Sequence, residues 1–73
     1  MFKYKINQYL NLLPKAITIA EAERLLDEKY KIPPFLFTKD RFIERDSMEE
    51  VPLHRLMVYA HIFNVSIEDL LIK

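Results

Sequence analysis

Apolar side chains return every three to four residues along most of this chain, the period of a helix that buries one face. In the first segment Phe2, Ile6, Leu10 and Leu13 keep that spacing, Tyr9 and Leu12 widen the stripe, and Pro14 stops it. A first helix is predicted over residues 2–13. The second begins in "ITIAEAERLL", where Ile19, Ala22, Leu25, Leu26 and Tyr30 form the stripe. Thr18 can accept a free backbone N–H there while Glu21, three positions on, reaches back to the backbone of Thr18, a capping box. Ile17 and Ala22 add a weak hydrophobic staple. This helix is expected over 19 to about 31, because Pro33 and Pro34 cannot donate backbone bonds and Pro33 pushes Ile32 out of helical geometry.

The same prolines can open a third helix, since a proline in the first turn gives up only an N–H that would be unpaired anyway. Phe37 and Phe42 are placed inward, with Thr38, Lys39, Arg41 and Arg45 on the flanks; a start at Thr38 is the other reading. After the polar connection "RDSMEEVP", Pro52 opens a fourth helix whose Leu53, Leu56, Met57, Ala60 and Phe63 share a face. The string "FNVSIEDLL" then packs a stop, a start and an anchor together. Asn64 suits the left-handed residue that ends a helix, Ser66 with Asp69 caps the next, and Ile67, Leu70 and Leu71 fold back from a fifth helix over 67–72.

Length and composition narrow what such helices can do. Seventy-three residues make one domain, and 51% hydrophobic residues with 30% charged ones mark it as globular. There is no cysteine for a disulfide or thiolate site, and no glycine at all. No stretch reaches the roughly 18 apolar residues of a membrane span, and "MFKYKINQYL" lacks a signal-peptide core, so a soluble, unprocessed cytoplasmic protein is expected. Eleven basic residues balance eleven acidic ones, which is unlike an obligate polyanion binder. The charges are nonetheless uneven: Lys3, Lys5 and Lys15 stand without an acid in residues 1–20, while Glu49, Glu50, Glu68 and Asp69 face Arg55 alone in residues 47–69.

The closing stretch "PLHRLMVYAHIFNVSIEDLL" resembles the Cro and lambda-repressor type of helix-turn-helix domain, often called XRE-like. The resemblance is carried by Pro52, Leu53, Leu56, Ala60, Phe63, Asn64, Val65, Ser66, Leu70 and Leu71, and Thr18 with Glu21 sits where that family starts its second helix. The chain departs from the family in "LLDEKYKIPP", which is longer than the usual second helix and has no glycine at the turn. The resemblance implies an all-α, compact five-helix bundle, lambda-repressor-like, that binds double-stranded DNA as a transcriptional regulator. With Ile32 at the apolar turn position and Pro33 as cap, Pro34, Phe35, Thr38 and Lys39 turn toward base edges. Thr38, Lys39 and Arg41 are the expected readers, and Phe35 can pack on a thymine methyl. Lys31, Arg45 and the N-terminal lysines are expected on phosphates.

A single small module reads few base pairs, so two copies on a two-fold site are the natural arrangement. Val58, Tyr59, Ile62 and Ile72 offer apolar surface for a homodimer; the competing reading packs them against the first helix within one chain. His54 and His61 lie two helical turns apart, about 10.5 Å along the axis, too far to share a zinc ion. No phosphate-cradling glycine loop and no nucleophile with histidine and acid partners is present, so neither enzyme activity, cofactor, metal nor small-molecule substrate is expected. The rival to DNA is a protein partner, as for an antirepressor, anchored through the aromatic cluster "PPFLF".

Overall fold

A computed structural model of the chain describes residues 1–12 and 18–71. Five helices follow one another within them: α1 (Ile6–Leu12), α2 (Ile19–Tyr30), α3 (Pro34–Arg41), α4 (Leu53–Phe63) and α5 (Ile67–Leu70). They close into an all-α bundle with a radius of gyration of 11.4 Å. Leu13, Pro14, Lys15, Ile17 and Ile72, to which roles were assigned above, lie outside the described residues.

The first correction is at the start of the chain. Residues 2–5 are not helical: Phe2 forms an antiparallel bridge with Glu44, and Tyr4 one with Leu71. Lys3 N–H donates to the Ile43 carbonyl at 2.8 Å, Arg45 N–H to Met1 at 2.9 Å and Lys5 N–H to Leu70 at 2.7 Å. The N-terminal segment is therefore an extended strap between the segment after α3 and the end of α5. "FKYKI" alternates large apolar residues with lysines, which is a two-residue period, and only from Ile6 does the helical period begin. Tyr4 and Ile6 are buried, and the Tyr4 hydroxyl accepts the Val51 N–H at 3.1 Å. That bond ties the connection before α4 to the strap.

α2 is capped as expected at Thr18, whose Oγ1 accepts the Glu21 N–H at 3.2 Å. The Glu21 carboxylate is turned to Arg24 at 3.0 Å instead of back to the cap. Ala22 and Leu26 form the buried face, whereas Ile19 and Leu25 of the predicted stripe are exposed. α3 starts at the diproline junction, with Pro33 as its N-cap, and inserts Phe37 into the core. Phe42, expected inward, is about half exposed and lies edge-on to Phe2, with ring centroids 5.3 Å apart.

α4 buries Leu56, Tyr59, Ala60 and Phe63, an unbroken i, i+3, i+4, i+7 stripe; Leu53 and Met57, predicted on that face, are exposed. The helix is rotated because Tyr59 fills the core. Its ring lies 5.5 Å from Phe37. Tyr9 of α1 stacks on Phe63 at 6.2 Å, fixing α1 across α4. Of the dimer surface expected at Val58, Tyr59 and Ile62, Tyr59 is corrected, since it has no exposed area; Val58 and Ile62 are partly buried against the same core and keep some exposed surface. Asn64 takes φ 57°, and Ser66 with Asp69 makes the full capping box that opens α5, both as predicted. α5 is shorter than expected because Leu71 leaves the helix to pair with Tyr4.

Candidate nucleic-acid interface

α2 and α3 are joined by three residues: Lys31, Ile32 and Pro33. Lys31 adopts the left-handed conformation at φ 60°, ψ 34°, and its N–H and that of Ile32 both donate to the Leu26 carbonyl. Ile32 points into the core. This is the connection length of a helix-turn-helix, with a lysine in the conformation usually given to glycine.

Beyond the turn, α3 exposes Phe35, Thr38 and Lys39 on one face, which Phe42 continues just past the end of the helix. Phe35 is 70% exposed, which leaves a large ring in water beside the prolines. Thr38 and Lys39 are free of the core, as the base-reading assignment requires, but Lys39 Nζ lies 3.4 Å from a Glu49 carboxylate oxygen.

Arg41 differs from its expected role. Its guanidinium sits 5.0 Å from the Phe37 ring and 5.1 Å from the Phe42 ring, and its Nε is buried without a hydrogen-bond partner. Asn7 of α1 donates to its carbonyl at 3.2 Å. The guanidinium is thus held against rings of α3 and its C-cap, four positions before it and one after. Arg45 is exposed, and Lys31 is exposed at the turn. Lys3, expected on phosphate, instead donates to the Ser47 and Glu49 carbonyls at 2.6 and 2.8 Å. It organises the connection after α3.

The feature that sequence reasoning missed is a polar cluster inside the bundle. Asp40, the sole carboxylate of α3, is 1% exposed. Arg55 Nε donates to Asp40 Oδ2 at 2.9 Å and its NH2 to Oδ1 at 3.2 Å, a two-pronged pair; the Tyr59 hydroxyl donates to Oδ2 as well. Burial first, and the Asp40 carboxylate second, push the Tyr59 phenol above the ordinary tyrosine range. Arg55 and Tyr59 are one turn apart on α4, so a single carboxylate on α3 meets both. The available signal was an aspartate near the end of a short helix, where it opposes the helix dipole and is a poor helix former, so it needs a partner to stay there.

The consequence is electrostatic. With Asp40 buried and matched by Arg55, the exposed face of α3 carries Lys39 and no carboxylate of its own, and Lys31 stands at its N-terminal end. The connection that follows it is acidic, with Glu44, Asp46, Glu49 and Glu50 against Arg45, and its Glu49 reaches Lys39. His54 and His61 are both exposed, and among the described residues no group of three or more metal-ligating side chains forms and no pocket opens. No described helix is long and apolar enough to cross a membrane. Comparison with protein-family models, curated proteins and solved structures gave no match, so the functional reading rests on this geometry.

Proposed function

We propose that the chain is a sequence-specific binder of double-stranded DNA, a lambda-repressor-like helix-turn-helix domain that lays α3 in the major groove. One observation carries the reading: α3 follows α2 after a three-residue turn and presents an exposed face from which the helix's own carboxylate has been withdrawn into the core. Negative charge repels phosphate, and burying Asp40 on Arg55 removes the one carboxylate that α3 itself would have turned toward it. Thr38 and Lys39 are the base readers, Lys39 being suited to guanine O6 and N7, and Phe35 is placed to meet a thymine methyl. Lys31 and Arg45 hold phosphates, and Arg41 serves as a brace for the helix. Useful specificity then calls for two copies on a two-fold site.

The second reading, a protein partner, is favoured by the 70% exposure of Phe35, a ring able to fill a hydrophobic groove. Fluorescence anisotropy of labelled duplexes against rising salt separates the two. The DNA reading expects binding at low salt that weakens steeply as salt rises, with Lys39→Ala and Thr38→Ala each losing roughly tenfold on a selected site. A parent protein that leaves every duplex free at low salt sinks it. In that case the effect of Phe35→Ala on capture of a protein partner becomes the deciding measurement.

A further inference from the structure

Glu49 is held where it is by a small structure of its own. Lys3 Nζ binds the Glu49 carbonyl at 2.8 Å and the Ser47 carbonyl at 2.6 Å, and the Glu49 N–H donates to the Ser47 hydroxyl at 3.1 Å. Two residues further on, Val51 N–H is fixed by the buried Tyr4 hydroxyl. The strap thus fixes the backbone on both sides of a carboxylate that lies 3.4 Å from Lys39 Nζ. Lys39 is also the single charged side chain in the exposed middle of α3.

We infer that Glu49 is an internal competitor on the DNA surface: it holds Lys39 in the free protein and must be displaced before that lysine can meet a duplex. This inference rests on the DNA reading. A phosphate and a guanine edge alike must displace the Glu49 carboxylate from the lysine, and the charged phosphate is the stronger acceptor of the two. The pair therefore lowers affinity for any duplex that is contacted through Lys39. It is a like-for-like replacement of phosphate by carboxylate, so its removal frees one cation for the backbone.

The test is a double-mutant cycle read by anisotropy on a short random-sequence duplex at low salt, with Glu49→Gln, Lys39→Ala and the double variant. Glu50→Gln, an exposed neighbour matched for net charge, is the control, and circular dichroism confirms that each variant is folded. Glu49→Gln is expected to tighten binding about two- to fivefold, the range of one exposed ion pair, and to steepen the dependence of log K on log salt by about 0.9. In the Lys39→Ala background the same substitution should change little. Equal gains from Glu49→Gln and Glu50→Gln, or a gain that survives loss of Lys39, would overturn the inference while leaving DNA binding intact. If neither the parent nor Glu49→Gln binds any duplex, the DNA reading has failed and this inference falls with it.

Discussion

The two corners of the molecule have the same plan and different origins. α2 meets α3 through Lys31, Ile32 and Pro33, and α4 meets α5 through Asn64, Val65 and Ser66; in each the order is a left-handed residue, an apolar residue and an N-cap. The second corner is built from residues that prefer their places. Asn64 tolerates positive φ, its N–H donates to the His61 carbonyl and Val65 N–H to that of Ala60, the paired bonds of a Schellman motif, and Ser66 closes a capping box. At the first corner none of these local preferences applies. Lys31 has no intrinsic liking for φ 60°, two N–H groups share the single Leu26 carbonyl, and Pro33 has no side chain with which to cap. Apart from the diproline start of α3, that corner is held by what it joins: Ile32 and Phe37 in the core and Asp40 locked on α4. The corner that presents the proposed reading helix is the one held by tertiary contacts, so its geometry is set by the whole bundle.

The contrast can be broken at its anchor. Asp40→Ala leaves Arg55, which is only 17% exposed, without its partner, and should lower the unfolding free energy in urea by about 3–5 kcal/mol. A loss under about 1 kcal/mol would mean that α3 is held without the cluster. At the turns themselves, Ile32→Ala should lose about 2–5 kcal/mol, against about 1 kcal/mol for the half-buried Val65→Ala. Similar losses at the two positions would erase the distinction between an imposed and a self-specified corner.

Alkaline pH gives a smaller and more selective probe of the same anchor. Burial, and then Asp40, raise the Tyr59 phenol above its ordinary value of 10.0, so the folded state favours the neutral form. The stability this contributes is complete below about pH 10, where the unfolded chain is also neutral, and is lost as pH rises beyond it by up to about 1.4 kcal/mol per unit. Urea midpoints measured across pH 8–11 should show that added fall in the parent and lose it in Tyr59→Phe. The gentlest test replaces each left-handed residue with glycine: Lys31→Gly should stabilise by about 0.5–1 kcal/mol, because lysine is strained there, and Asn64→Gly should change stability by only a few tenths. Should Lys31→Gly destabilise the protein, relief of strain at the first corner is the wrong account.

How much could be read in advance follows the same division. The Thr18 cap, the diproline start of α3, the Asn64 stop and the Ser66 box depend on residues within a few positions of one another, and each appears where the local pattern puts it. The N-terminal strap was misread because Phe2 and Ile6 fit a helical period as well as the alternation of "FKYKI" fits an extended one. Only pairing with Glu44 and Leu71 decides between them. Thr38 and Lys39 were legible as exposed positions; the ring partners of Arg41, Phe37 and Phe42, are also local, four positions before it and one after, but which face of α3 is buried is decided only by the bundle.

The order of elements, their caps and stops, and the balance of charge are properties of neighbouring residues, and the sequence alone determines them. The bundle decides the rest. Tyr59 became core instead of interface, Asp40 vanished from the face of α3, and Lys39 was set against Glu49, in each case through partners 10 to 19 positions away. A hydrogen bond or ion pair across such a separation leaves no period or spacing in the chain. It exists only once burial of the apolar stripes has fixed which helix faces which.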